Sequence, residues 1–540
     1  MRKLALLLAA FLSSTVQAQP RPAPKLIVAI SVDQLSADLF DEYRGRFTGG
    51  FARLAGGAMF RNGYQGHNAS ETCPGHSTIL TGARPARTGI IANIWFDQSQ
   101  SRSDKAVYCA EDERVAGTSS IAYTVSALHL RVPTLGETMK VRTPASRVVA
   151  VAGKDRAAVM MTGQRPDQRW YWNGKTFASD LTAAAVPASV TAARQAVANL
   201  LAVPAEPLVP PPYCTAKSRS VPVGSGALSV GSGRFARAAG DASAFRASPA
   251  FDGLTLALSA QLIDEMKLGK GGAPDLIAIG LSATDYVGHA FGTGGEEMCL
   301  QLLSLDRDLG DFFALLDARG IDYAVVLTAD HGGEDIPERL RLMGVSEAAR
   351  VDPALEPAAM GKALAATLGL SGPVLIGSGA FGDVYLDRAL KPADRVRAQA
   401  ATLAAYRAHP QVEAVFTKDQ LARSATPTTT PDRWTLIERA RASFDAERSG
   451  DLVVLLKRHI TPIAKPTASF AATHGSPWDY DRRVPILFWR AGMPAAARDE
   501  AVETVDIMPT LAAMLALPVD QGRIDGRCLA NVAGATCPPR

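Results

Sequence analysis

KLIVAISVD, residues 25–33, is a run of apolar side chains that stops on a carboxylate. The pattern returns as SRVVAVAGKDR (146–156), DLIAIGLSATD (275–285), YAVVLTADH (323–331) and VPILFWRAG (484–492). Runs that are apolar at odd and even positions alike belong to strands covered on both faces, the situation of parallel strands sandwiched by helices. Ala/Leu-rich stretches such as 256–267 and 299–318 supply helices between them. The chain therefore reads as α/β, a three-layer sandwich with a mostly parallel central sheet flanked by helices. Ligands bind such sheets beyond the carboxyl ends of the strands, so the polar residues that close these runs mark the expected site.

Two intervals break the pattern. Residues of about 160–250 contain VPAEPLVPPPY and SVPVGSGALSVGSG, and about 335–470 contain Ala-rich helical stretches and an expected strand pair around PVLIGSGAFGDVYLD. Their Pro, Gly and Ser content argues for loops, and both are read as insertions capping the sheet of one domain spanning 19–540. Residues 1–18 have a basic start at Arg2 and Lys3, an apolar run from Leu4 to Leu12 and a Val-Gln-Ala cleavage site, as a secretory signal peptide does. That run is too short to span a bilayer, and no later stretch reaches the ~18 apolar residues needed, so the mature chain is expected in the periplasm or secreted.

Without Arg2 and Lys3 the formal charge of +4 becomes +2, too little for a general field favouring nucleic acid or an anionic membrane. The six cysteines form no CxxC pair, and an even number in an exported chain favours disulfides over a thiolate metal cage. Proximity pairs Cys528 with Cys537; Cys73 with Cys109 and Cys214 with Cys299 are the next expectation.

At the strand ends stand Asp33, Asp285 with His289, Asp330 with His331, and, in ATHGSPWD, His474. Carboxylates and imidazoles without thiolates suit a catalytic zinc site. Asp285 and His289 are four apart and share a helix face. Asp330 and His331 would diverge on a continuing strand, so both reach one ion only if the chain bends, which Gly332-Gly333 allows. Singly, each group reads as an ordinary hydrogen-bonding feature; together, at successive strand ends, they point to a site.

The stretch ASETCPGHSTILTG, 69–82, packs Ser70, Glu71, Thr72, Cys73, His76 and Ser77 around a Pro-Gly turn, and its residue types alone do not select a nucleophile. Lys154 and Arg156 in GKDR, two apart on an extended run, would project to one side and offer a point charge and a planar fork to an anion. Alone, they read as a solvated strand end.

The ordered set SVDQL, SETCPGHSTILTG, GIIANIWFD, VAGKDR, ATDYVGHAFG, TADHGG, ATHGS and VETVDIMPTLAAMLALP resembles the alkaline phosphatase superfamily, and within it the bacterial threonine-nucleophile alkaline phosphatases, from about residue 25 to 520. The resemblance implies an alkaline-phosphatase-like fold with cap insertions and hydrolysis of small phosphate monoesters through a phosphothreonine on Thr72. It implies two zinc ions: one held by Asp33, Thr72, Asp330 and His331, the other by Asp285, His289 and His474. Asn93, Lys154 and Arg156 would contact phosphate oxygens. His76 is expected to hydrogen-bond locally at a helix start rather than to ligate metal, Cys73 to be oxidised, and acidic loops could hold structural calcium.

Nucleotide pyrophosphatase/phosphodiesterases of the same superfamily share the threonine and the metal set, but usually lack the Lys-x-Arg pair. A sulfatase would need a C-x-P-x-R setting, which is absent because Pro74 follows Cys73 directly. A phosphoglycerate mutase would use serine and stay in the cytosol. A metal-containing protein that only binds phosphorylated ligands leaves the placement of Thr72 unexplained.

Overall fold

The computed structural model describes residues 22–530 apart from 183, 184 and 232, together with 532 and 537. The leader expected over 1–18 lies outside the described residues. A ten-stranded sheet forms the centre. Five of its strands run parallel in the order Tyr323–Thr328, Leu26–Val32, Asp275–Leu281, Val148–Ala152, Gln168–Trp172. Every residue of Leu26–Val32 and of Asp275–Leu281 is buried, as their unbroken apolar runs require. Alternation sends Leu26, Val28 and Ile30 into the core on one face, and Ile27 and Ala29 into the core on the other.

Two expectations are corrected. VPILFWRAG forms Arg483–Arg490, which is antiparallel to both of its neighbours, Tyr323–Thr328 and Ala58–Tyr64. Burial on two faces makes a strand apolar throughout but does not set its direction. Because this strand runs backwards, its amino end lies where the parallel strands have their carboxyl ends, which brings the preceding segment with His474 to that edge. The interval 160–250 is not wholly an insertion, since Gln168–Trp172 joins the central sheet beside Val148–Ala152. The interval 335–470 does build a separate four-stranded sheet, from Leu375–Ile376, Gly382–Leu386, Leu452–Leu456 and Val412–Thr417, over its own core.

All three expected cysteine pairs are formed: Cys73–Cys109, Cys214–Cys299 and Cys528–Cys537. No helix among the described residues is long and apolar enough to cross a membrane.

Candidate active site and metal centre

Asp33 directly follows strand Leu26–Val32, and Lys154 lies two residues beyond Val148–Ala152. The strand ending at Leu281 turns within two residues into the helix Ala283–Phe291, which carries Asp285 and, one turn on, His289. Tyr323–Thr328 stops two residues before Asp330, so the chain bends there and both Asp330 and His331 face inward, fully buried. The strand Ala58–Tyr64 feeds the helix Thr72–Ile79, whose first residue is Thr72. A helix amino end presents unpaired N–H groups and favours an anion.

Within ASETCPGHSTILTG the competing nucleophiles are engaged. Ser70 Oγ donates to Ser476 O at 3.0 Å, Ser77 Oγ donates to Pro74 O at 2.7 Å, and Cys73 is oxidised. Thr72 Oγ1 instead meets the Arg156 guanidinium, whose Nη2 is 3.4 Å away. Glu71 Oε2 accepts the Asn93 backbone N–H at 2.7 Å, and Asn93 Oδ1 accepts the Cys73 N–H at 2.8 Å. Asn93 is thereby fixed to the helix that begins at Thr72, with its amide NH2 left as a donor.

Lys154 and Arg156 reach the site by a different route from the extended geometry expected. The strand ends at Ala152, Lys154 caps the helix Asp155–Thr162, and Arg156 belongs to that helix's first turn. Lys154 Nζ bridges Asp33 Oδ2 at 2.9 Å and Asp285 Oδ2 at 2.6 Å. Burial opposes the charge on Lys154, but Asp285 and Asp33 outweigh it and raise its pKa.

The four histidines are prepared alike. Nδ1 of His289, His331, His474 and His76 faces a backbone carbonyl, of Ala472, Gly332, Ser70 and Thr72, at 2.7–2.9 Å. Such bonds hold the proton on Nδ1 and turn the Nε2 lone pair toward a ligand. Nε2 of His289 and of His474 each stand 3.3 Å from Asp285 Oδ1, Nε2 of His331 stands 3.2 Å from Asp330 Oδ2, and Nε2 of His76 stands 3.3 Å from Asp33 Oδ1. Burial, aided by His331, pushes His474 down to about 4, and burial also lowers His289. Burial works against the charge on Asp285 too, but His289 and Lys154 outweigh it and hold that carboxyl well below its usual range. Two rings whose protonation burial disfavours thus turn Nε2 toward one carboxylate, an arrangement that suits a cation between them.

Asp33 Oδ1, Asp285 Oδ1, Asp330 Oδ2, His76 Nε2 and His331 Nε2 are buried without a hydrogen-bond partner. These orphaned atoms are the ligand atoms a metal would take, so the residues fit metal ions. The described residues offer two groups of three, Asp285 with His331 and His474, and Asp33 with His76 and Asp330, the ligand atoms of each lying within 4.8 Å of one another. The expected carboxylates and imidazoles are therefore together, and His331 reaches both groups: its Nε2 lies beside Asp330, while its ring is stacked on His474 with centroids 3.5 Å apart.

His76 is the residue that sequence reasoning undervalued. Its bond to Thr72 O is the local one expected, yet its ring also lies 3.3 Å from both Asp33 and Asp330. Burial resists a charge there, but Asp330 and Asp33 push the imidazole up to about 10. The available signal was its spacing, four residues after Thr72 and so on the same helix face.

Gly75 explains how this helix comes so close. A Cβ built on it would lie 1.9 Å from the Asp330 backbone oxygen, so the Pro-Gly turn of the helix rests directly on the ligand strand's end. Gly75→Ala is expected to cost about 1–3 kcal/mol in a denaturant unfolding curve and to lower turnover about tenfold by displacing Thr72 from Asp330. Unchanged stability would mean that the two backbones do not bear on each other.

The chain, with this parallel sheet and the carboxylates and imidazoles at its strand ends, belongs to the alkaline phosphatase superfamily. Within it, the chain belongs to the type I phosphodiesterase/nucleotide pyrophosphatase family, which it matches over residues 27–477. It is 54% identical to the alkaline phosphatase PhoK of Sphingomonas sp, over 95% of this chain and 92% of that protein. It is 47% identical to the alkaline phosphatase PhoD of Zymomonas mobilis, over 97% and 92%. The crystal structure of wild-type alkaline phosphatase PafA superposes with a TM-score of 0.81 at 25% identity, covering 95% of this chain and 99% of that one.

Proposed function

We propose that this chain is an exported, zinc-dependent alkaline phosphatase that hydrolyses small phosphate monoesters through a phosphothreonine on Thr72. One observation carries the reading. The backbone around Thr72 is tied by a ring from each ligand group, Ser70 O to His474 and Thr72 O to His76, while its hydroxyl faces Arg156. The nucleophile is thus built into the metal centre rather than set near it, and full-length kinship to two alkaline phosphatases supports the same activity.

Asp33, Asp330, His331 and Thr72 would hold one ion, with His76 at its side, and Asp285, His289 and His474 the other. When bound, such ions supply positive charge at the attacking and leaving oxygens of an in-line displacement, and zinc suits this donor set. Thr72 Oγ1, its proton lost to solvent water, forms the bond to phosphorus as the ester oxygen departs with its electron pair and takes up a proton from water; a water molecule then cleaves the phosphothreonine, its oxygen leaving on free phosphate while Thr72 Oγ1 regains a proton. Arg156 offers its fork to the phosphoryl oxygens from the Thr72 side, and the Asn93 amide NH2 offers a further donor. Lys154 has three N–H donors, two taken by Asp33 and Asp285, which leaves one for a phosphoryl oxygen. Because recognition is concentrated on the phosphoryl group, many leaving groups are accepted. Structural calcium in acidic loops stays part of the proposal; no third group of three ligating side chains accompanies the two above among the described residues.

The family's name favours a second reading, a phosphodiesterase. Lys154 and Arg156 weigh against it, since a monoester dianion needs more cationic contacts than a diester. The deciding experiment compares an aryl phosphate monoester with its diester, from mildly acidic to strongly alkaline pH, using metal-stripped and zinc-restored protein. Zinc-dependent monoester turnover that rises toward alkaline pH and far exceeds diester turnover is expected. Arg156→Ala should lower monoester turnover about 10²-fold and diester turnover less. A diesterase preference would overturn the reading, and binding without turnover would favour a phosphate-ligand binding protein.

A further inference from the structure

A small cavity of about 40 Å³ adjoins the site and has no role in the chemistry above. It is lined by the immediate neighbours of three site residues: Glu71 beside Thr72, Ala92 beside Asn93, and Gly475 beside His474. It therefore lies beside the site, on the side of Glu71, Ala92 and Gly475. Its far wall comes from the 335–470 insertion. Phe381 packs on Gly475 so closely that a Cβ there would sit 2.9 Å from the ring, and Asp383 and Tyr385 follow on the same strand.

The chemistry of this lining is one-sided. It contains two carboxyl groups, Glu71 and Asp383, the aromatic rings of Phe96, Phe381, Tyr385 and Phe444, and no Lys or Arg. Asp383 Oδ1 accepts the Gly450 N–H at 2.6 Å and Glu71 Oε2 accepts that of Asn93, so backbone groups orient both carboxyls without neutralising them. Burial, with the nearby Glu71 charge adding to it, pushes Asp383 up to about 7, although the Gly450 N–H and the Lys418 charge act the other way. Asn68 supplies an independent sign of a missing ligand. It is only 5% exposed, it lines the cavity, and its Oδ1 has no hydrogen-bond partner. Carboxylates, an unfilled amide oxygen and aromatic faces all attract a cationic hydrogen-bond donor and repel an anion.

Resting on the phosphatase reading, we infer that this cavity is a specificity subsite for a primary ammonium group on the alcohol half of the substrate, so that short aminoalkyl phosphate monoesters are preferred. Size decides the class: a water needs roughly 10–15 Å³ measured this way, so the cavity holds an ammonium and its adjoining carbon, not a nucleoside base. An ester ending in a carboxylate would meet Asp383 and Glu71 and be rejected.

The test measures kcat/KM at pH 8 for 2-aminoethyl phosphate, its near-isostere propyl phosphate and 2-carboxyethyl phosphate, on the zinc-loaded wild type and on Asp383→Asn. Wild type is expected to prefer the amine over propyl phosphate about tenfold and to disfavour the carboxylate. Asp383→Asn, which keeps the oxygen that accepts from Gly450, should bring the first ratio to within about threefold while leaving propyl phosphate turnover as it was. Equal wild-type values for amine and propyl esters, or a ratio unmoved by Asp383→Asn, would overturn the subsite. Calorimetric binding of the same esters to Thr72→Ala separates the two claims. An amine preference in binding without turnover by the wild type would keep the subsite and refute the phosphatase; turnover of all three esters at one rate would do the reverse.

Discussion

Thr72→Ala lowers turnover of an aryl phosphate monoester by about 10⁴-fold or more, while the protein keeps its fold and its metal content. Losses of that order accompany removal of a nucleophile whose surroundings stay in place. Little else changes in this variant, because the hydroxyl's protein contact is with Arg156, whereas the structural bond from Thr72 to His76 uses the backbone oxygen. Ser70, Cys73 and Ser77 cannot substitute, since each is engaged elsewhere. Thr72→Ser should restore much of the rate by returning an oxygen to the same position. Near-wild-type activity in Thr72→Ala, with metal content verified, would move the nucleophile out of this helix.

Asp285→Ala is expected to cost about 10³-fold in turnover, to lower bound metal by one ion per chain, and to reduce thermal stability. Asp285 is where His289, His474 and Lys154 converge. Its removal takes away a ligand and also leaves the buried Lys154 with one carboxylate instead of two. Breaking one side of a buried pair costs about 3–5 kcal/mol, part of which Asp33 still offsets. Elemental analysis and an unfolding curve read the two effects separately. Asp285→Asn keeps the shape and loses the charge, so an equal metal deficit there would assign the effect to electrostatics. An unaltered metal count in both variants would remove Asp285 from the metal centre.

Much of this was visible in the sequence because the informative features are local. An apolar run ending in Asp needs only its own residues to be recognised, and Asp33, Asp285, Asp330 and His331 were found that way. The spacing of Asp285 and His289 gave their shared helix face. What escaped is non-local or depends on direction. Residue spacing does not reveal that Arg483–Arg490 runs antiparallel, that Gln168–Trp172 extends the sheet, or that the Lys154 ammonium lies between two carboxylates that follow separate strands. His76 was read by its nearest bond because Asp33 and Asp330 lie 43 residues before it and 254 after it along the chain. His474 was gathered with the strand-end residues by its type, although it sits in a loop with no periodicity of its own.

The backward strand Arg483–Arg490 also sets an order of assembly. Among the described residues, Ala58–Tyr64, which leads to Thr72, has only Arg483–Arg490, Ala496–Arg498 and Val502–Glu503 as partners in the sheet. More than four hundred residues of synthesis separate it from the first of them. The strand that leads to Thr72 therefore waits, unpaired, until the end of the chain arrives to tie it to the sheet, and long-range closure of this kind is slow. A growing chain holds Asp33, Asp285 and Asp330 well before it can hold Thr72 against them. The site closes last, and its chemistry begins only once translation is all but complete.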